Sequence, residues 1–91
     1  MQLAVRPSVE AALGKLPEEE QIAALDSLRA IPAAFGRPHV HAGLGLRQLR
    51  PGVYEARLGL ALRAVFTRDG DVLQIQMIGN HDEVKRYLRG R

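Results

Sequence analysis

Two arginines and one histidine are the residues of this chain best suited to chemistry. Arg57 lies in the run Val53-Tyr-Glu-Ala-Arg-Leu58, Arg63 in Leu62-Arg-Ala-Val-Phe-Thr67, and His81 just past Val72-Leu-Gln-Ile-Gln-Met-Ile78. Guanidinium groups hold phosphate oxygens through paired N–H donors, and imidazole is the side chain best matched to proton transfer near neutrality. Brought together, the three could grip a phosphodiester and move a proton beside it. Whether they meet depends on the strands that carry them.

Turn lengths decide the faces of those strands. A three-residue loop Gly59-Leu60-Ala61 sets Arg57 opposite Arg63 and gathers Tyr54, Ala56, Leu58, Leu62, Ala64 and Phe66 on the other side, whereas a two-residue loop would pair Arg57 with Leu62 and mix the faces. In the next hairpin, Asp69-Gly70 has the composition of a type I′ turn and would oppose Phe66 to Leu73, Arg63 to Gln76 and Leu62 to Met77. Gln74 and Gln76 would then flank Arg57 and Arg63 on a cationic floor. Opposed like charges cost up to ~1 kcal/mol, so solvated arginines, relieved by nearby Glu55, are the plain alternative to a phosphate site.

The 91 residues make one domain, 1–91, with a single modest core, so each apolar stripe is structural before it is anything else. A hydrophobic content of 46% with 25% charged residues and no low-complexity tract predicts that the whole chain folds. The absence of cysteine excludes disulfides, thiolate zinc sites and cysteine nucleophiles. No apolar run approaches a membrane span and the N-terminus is unlike a signal peptide, which predicts a cytoplasmic protein with no membrane association. The net charge of +3 is concentrated in Arg47, Arg50, Arg57, Arg63, Arg68, Lys85, Arg86, Arg89 and Arg91, a distribution suited to a polyanionic partner.

The rest of the chain supplies the scaffold. Leu3 and Val5 alternate with polar or small residues in a first strand ended by Pro7. Ser8 is a candidate cap for a helix with Val9, Ala12, Leu13 and Leu16 on one stripe. Pro17 and Glu18-Glu-Glu20 suit the first turn of a second helix, whose stripe is Ile22, Leu25, Leu28 and Ile31 and whose limit is Pro32. After a loop rich in glycine and proline come four strand-like runs with short turns, Leu46–Arg50, Val53–Leu58, Leu62–Thr67 and Val72–Ile78, which predict an antiparallel meander. Asn80 with Glu83 forms a capping box for a last helix whose apolar side is Val84, Tyr87 and Leu88. The expected class is α+β, in the order β-α-α-β-β-β-β-α.

That order, with the Leu46-Arg47-Gln48-Leu49 run, the Tyr54-Glu-Ala-Arg57 and Leu62-Arg63-Ala-Val-Phe66 strands, and the Ile78-Gly79-Asn80-His81 ending, resembles the RelE/ParE superfamily, the toxins of type II toxin–antitoxin modules. The resemblance covers nearly the whole chain. The Gly-x-His ending is similar to that of YafQ-type members, in which the matching histidine is catalytic. Arg57 and Arg63 match basic positions that hold the scissile phosphate in ribonuclease members, and Tyr87 lies where some RelE members place a functional tyrosine. Because Tyr87 also belongs to the last helix's apolar stripe, packing is the favoured role for it.

The resemblance implies a metal-independent mRNA endoribonuclease that inhibits translation on the ribosome and needs no cofactor. His81, Arg63 and Arg57 would be catalytic, and Arg47, Arg50, Gln74, Gln76, Lys85 and Tyr87 would contact RNA. It also implies a cognate antitoxin that wraps the toxin with apolar anchors and acidic residues. ParE-like members use the same fold against DNA gyrase, and a catalytically silent homologue that binds only its antitoxin is the third reading, which the sparse basic set keeps open. His39-Val40-His41 could set two imidazoles on one side of an extended segment, but no third metal ligand is apparent, so ordinary loop histidines are favoured. Glu18–Glu20 is most simply a solvated helix start, and Gly43-Leu-Gly45 lacks the strand and the lysine or third glycine of a nucleotide loop.

Overall fold

The alternating and three-to-four spacings resolve into nine elements in the structure, a computed structural model that describes residues 1–35, 37 and 42–90. They are β1 (Gln2–Val5), α1 (Pro7–Gly14), α2 (Glu18–Ala34), a 3-10 turn (Ala42–Leu44), β2 (Arg47–Arg50), β3 (Val53–Arg57), β4 (Arg63–Asp69), β5 (Val72–Gly79) and α3 (His81–Arg89). The sheet order is β1-β5-β4-β3-β2. Strands β2 to β5 form the expected antiparallel meander, and β1 adds to β5 in parallel, so the sheet is mixed.

The sheet separates two apolar layers, as alternation along its strands requires. On one face Val9, Leu13, Ala24, Leu28 and Ile31 of α1 and α2 pack on Ala56, Leu58, Ala64, Phe66, Leu73 and Ile75. On the other, Val84, Tyr87 and Leu88 of α3 cover Val53, Val65 and Met77. The position of α3 is what matters for function, because Arg57 and Arg63 share its side of the sheet.

Several local expectations are corrected. Ser8 caps nothing: Arg6 is the N-cap of α1, without a side-chain cap bond, and Pro7 occupies the first turn, where its missing N–H leaves nothing unsatisfied. Pro32 lies inside α2, which runs on to Ala34; so near the C-terminus the ring removes a single backbone bond from an otherwise packed helix. The buried stripe of α2 is Ala24, Leu28, Ile31 and Ala34, while Ile22 is 53% exposed.

The β4–β5 register differs most. Asp69 pairs with Val72, so the loop is Gly70-Asp71 rather than Asp69-Gly70. A type I′ turn at the latter would demand positive φ at both residues, whereas the observed turn needs it only at Gly70 (φ +59). Phe66 therefore faces Ile75 and Thr67 faces Gln74; a bulge then leaves Gln76 unpaired, and the register resumes with Val65 opposite Met77 and Arg63 opposite Gly79. Met77 consequently packs under α3 instead of joining Phe66.

Candidate functional site

Arg57 and Arg63 are cross-strand partners, as the three-residue loop predicts, and Leu58 N–H closes that loop on the Leu62 carbonyl at 2.8 Å. With Arg63 opposite Gly79, a row Arg57–Arg63–Gly79 crosses the ends of three neighbouring strands. His81 follows Gly79 by two residues as the first residue of α3 and is exposed.

The start of α3 is tightly specified. Asn80 Oδ1 accepts from the Glu83 amide and Glu83 Oε1 accepts from the Asn80 amide, both at 2.8 Å, completing the capping box. Glycine is required at 79, because a Cβ there would sit 2.9 Å from Glu83 Cβ. The backbone bearing His81 is thus held by two reciprocal bonds and a close contact.

The floor beside it is not simply cationic. Glu55, on the same face of β3, is 2% exposed; its Oε1 accepts from Arg63 Nη1 at 2.7 Å and lies 3.6 Å from Arg47 Nε. Arg47 is the β2 partner of Glu55, so one carboxylate is shared by arginines from both neighbouring strands. The Arg57 side chain lies instead against Gly45, where a Cβ would be 3.3 Å from Nη2.

The remaining predicted residues divide. Arg50 Nη2 donates to the Leu88 carbonyl at 2.6 Å and so fastens the C-terminal turn of α3. Tyr87 packs in the Val53, Val65 and Val84 cluster, in the role favoured for it, and Lys85 is exposed on α3. Gln74 and Gln76 do not flank Arg63, because of the register change. Gln76 Nε2 donates to Thr67 Oγ1 at 3.0 Å and its Oε1 accepts from Arg6 Nη1 at 3.1 Å, while Gln74 faces Thr67 across the strands. They belong to a separate polar patch towards β1. His39 and His41 lie outside the described residues. Among the described residues no three His, Cys, Asp or Glu side chains are grouped to hold a metal ion, and no helix is long and apolar enough to cross a membrane.

Superposition on solved structures decides the architecture. The chain aligns over 87% of its length with 92% of a chain of the archaeal RelE–RelB complex from Pyrococcus horikoshii, at a TM-score of 0.69 and 21% identity. This is the RelE fold. A copper-bound mutant toxin from Helicobacter pylori shares it over 92% of this chain and 98% of that one, with TM-score 0.65 and 12% identity. The YoeB–YefM toxin–antitoxin complex from Staphylococcus aureus matches over 89% and 97%, with TM-score 0.63 and 16% identity. No protein-family profile matches the sequence, and no curated protein does. Sequence reasoning offered Glu55 only as relief for nearby arginines and did not foresee its burial or its sharing between Arg63 and Arg47. Its position between two inward-facing valines, Val53 and Val65, and beside two arginines is the signal that could have found it.

Proposed function

We propose that this chain is the toxin of a toxin–antitoxin pair and that it cleaves mRNA on the ribosome without a metal ion. The observation that carries the reading is the row Arg57–Arg63–Gly79, leading within two residues to an exposed His81 on a capped helix start. The RelE fold supports it, since its solved neighbours include RelE–RelB and YoeB–YefM toxin–antitoxin complexes. In the reaction the RNA 2′-oxygen bonds to the adjacent phosphorus and the bond from phosphorus to the 5′-oxygen breaks. His81 exchanges a proton with the attacking or the leaving oxygen, and the arginines stabilise charge gathering on the phosphorane.

Expression of the chain alone, with growth and RNA ends followed together, tests this reading. Growth arrest with new transcript ends bearing 2′,3′-cyclic phosphates is expected. Block of DNA supercoiling in a ribosome-free gyrase assay would replace it with the gyrase reading. One observation favours a silent, antitoxin-binding chain: Arg63 is ion-paired to Glu55 and Arg50 is bonded to Leu88, which thins the set of cations open to RNA. Neither arrest nor cleavage would establish that second reading.

A further inference from the structure

Glu55 is the buried charged side chain among the described residues, and packing gives no reason for it. Its face of the sheet carries Val53, Val65 and Met77, and a valine at 55 would continue that layer. Replacing a buried ion pair by well-packed apolar residues is commonly neutral or stabilising. What the carboxylate does provide is a common anchor. It takes Arg63 of β4 through Nη1 and approaches Arg47 of β2 through Nε, yet 26% of the Arg63 side chain and 59% of that of Arg47 remain exposed. Arg63 is thus hydrogen-bonded at one nitrogen and Arg47 ion-paired at one, and both side chains remain in part exposed.

We infer that Glu55 is a positioning residue that orients Arg63 and Arg47 as a preformed cradle for the phosphates of a single-stranded RNA. This deepens the ribonuclease reading and rests on it. An arginine restrained before binding loses less side-chain entropy when it meets phosphate, and a planar guanidinium held in one orientation can offer two parallel N–H donors. Arg57, opposite Arg63 and seated against Gly45, would complete the basic side of the cradle.

The inference makes a prediction of opposite sign to that of net charge. Removing a negative charge from a basic face should tighten polyanion binding by Coulomb attraction alone. If Glu55 positions the arginines, Glu55→Gln should weaken it, because both guanidinium groups meet the same Oε1 and a neutral amide oxygen there lacks the charge that holds them. The probe is a 2′-O-methyl RNA oligonucleotide, which the full chain can bind but not cleave, titrated near physiological salt. Glu55→Gln is expected to bind about tenfold more weakly, equivalent to about 1.4 kcal/mol, and to add little further loss in an Arg63→Lys background. Equal or tighter binding by Glu55→Gln overturns the role of Glu55 and leaves the ribonuclease reading standing. No binding by the unaltered chain overturns the cradle, whereas the ribonuclease reading, which has the mRNA positioned on the ribosome, stands or falls on the transcript-end experiment. Should Glu55→Gln not fold, side-chain nitrogen NMR of the unaltered chain decides: the Arg63 Nη1 bond to Glu55 is expected to persist when the oligonucleotide is added, and its displacement by RNA would make Glu55 a competitor instead.

Discussion

Arg63 on β4 lies directly opposite Gly79 on β5, and Gly79 stands two residues before His81. Backbone pairing therefore carries a basic strand position to the start of the helix that bears the imidazole. His81 is exposed and its helix start is capped by Asn80 and Glu83, so the ring can be removed with little structural consequence. For His81→Ala, stability within about 0.5 kcal/mol of the parent is expected, with transcript cleavage reduced about a hundredfold or more. Thermal unfolding and RNA-end mapping on the same preparation check both parts; undiminished cleavage removes His81 from the mechanism.

Gly79→Ala should act on the same site from behind. The new Cβ would meet Glu83 Cβ at 2.9 Å, and the first turn of α3 must move to accept it. A loss of about 1–3 kcal/mol is expected, larger than the ~1 kcal/mol typical of a lost cap in Asn80→Ala. Urea unfolding of the two variants ranks them, and an equal or smaller loss for Gly79→Ala would show that the helix start yields more easily than its packing indicates.

Arg50 is expected to matter more for the helix than for RNA. Its donation to the Leu88 carbonyl satisfies a helix-end acceptor and places positive charge at the negative end of α3. Arg50→Ala should cost about 1 kcal/mol and speed amide exchange in the residues around Leu88, with little change in affinity for the 2′-O-methyl oligonucleotide. A large fall in affinity with unaltered exchange would return Arg50 to the RNA-contacting set.

A buried residue of the sheet and an exposed one of α2 make a contrast. Phe66 is fully buried and stacks against Tyr54 with ring centroids 5.6 Å apart, so Phe66→Ala should cost about 3–5 kcal/mol. Ile22, assigned to the core by spacing, is 53% exposed, and Ile22→Ala should fall within about 0.5 kcal/mol of the parent. Denaturant midpoints measured side by side check the pair.

Much of this architecture was legible in the residues. The Asn80-x-x-Glu83 cap, the pairing of Arg57 with Arg63 and the order of elements follow from local patterns, in which a residue's neighbours along the chain already hold the answer. In the β3–β4 hairpin only one loop length keeps apolar residues on a single face, and the strands take it.

The residues pointed to a β4–β5 turn at Asp69-Gly70, and the tertiary structure set it one residue later, at Gly70-Asp71. Gly70 can supply positive φ where Asp69 supplies it only at a cost, and the bulge at Gln76 re-phases β5 so that Met77 meets α3 while Ile75 stays under Phe66. That choice moved Gln74 and Gln76 away from the arginines and brought Gly79 to Arg63. The burial of Glu55 was likewise decided in three dimensions. Alternation assigns it a face, but only the covering of that face by α3, and the arrival of arginines from both neighbouring strands, turned a surface carboxylate into the shared anchor of a basic site.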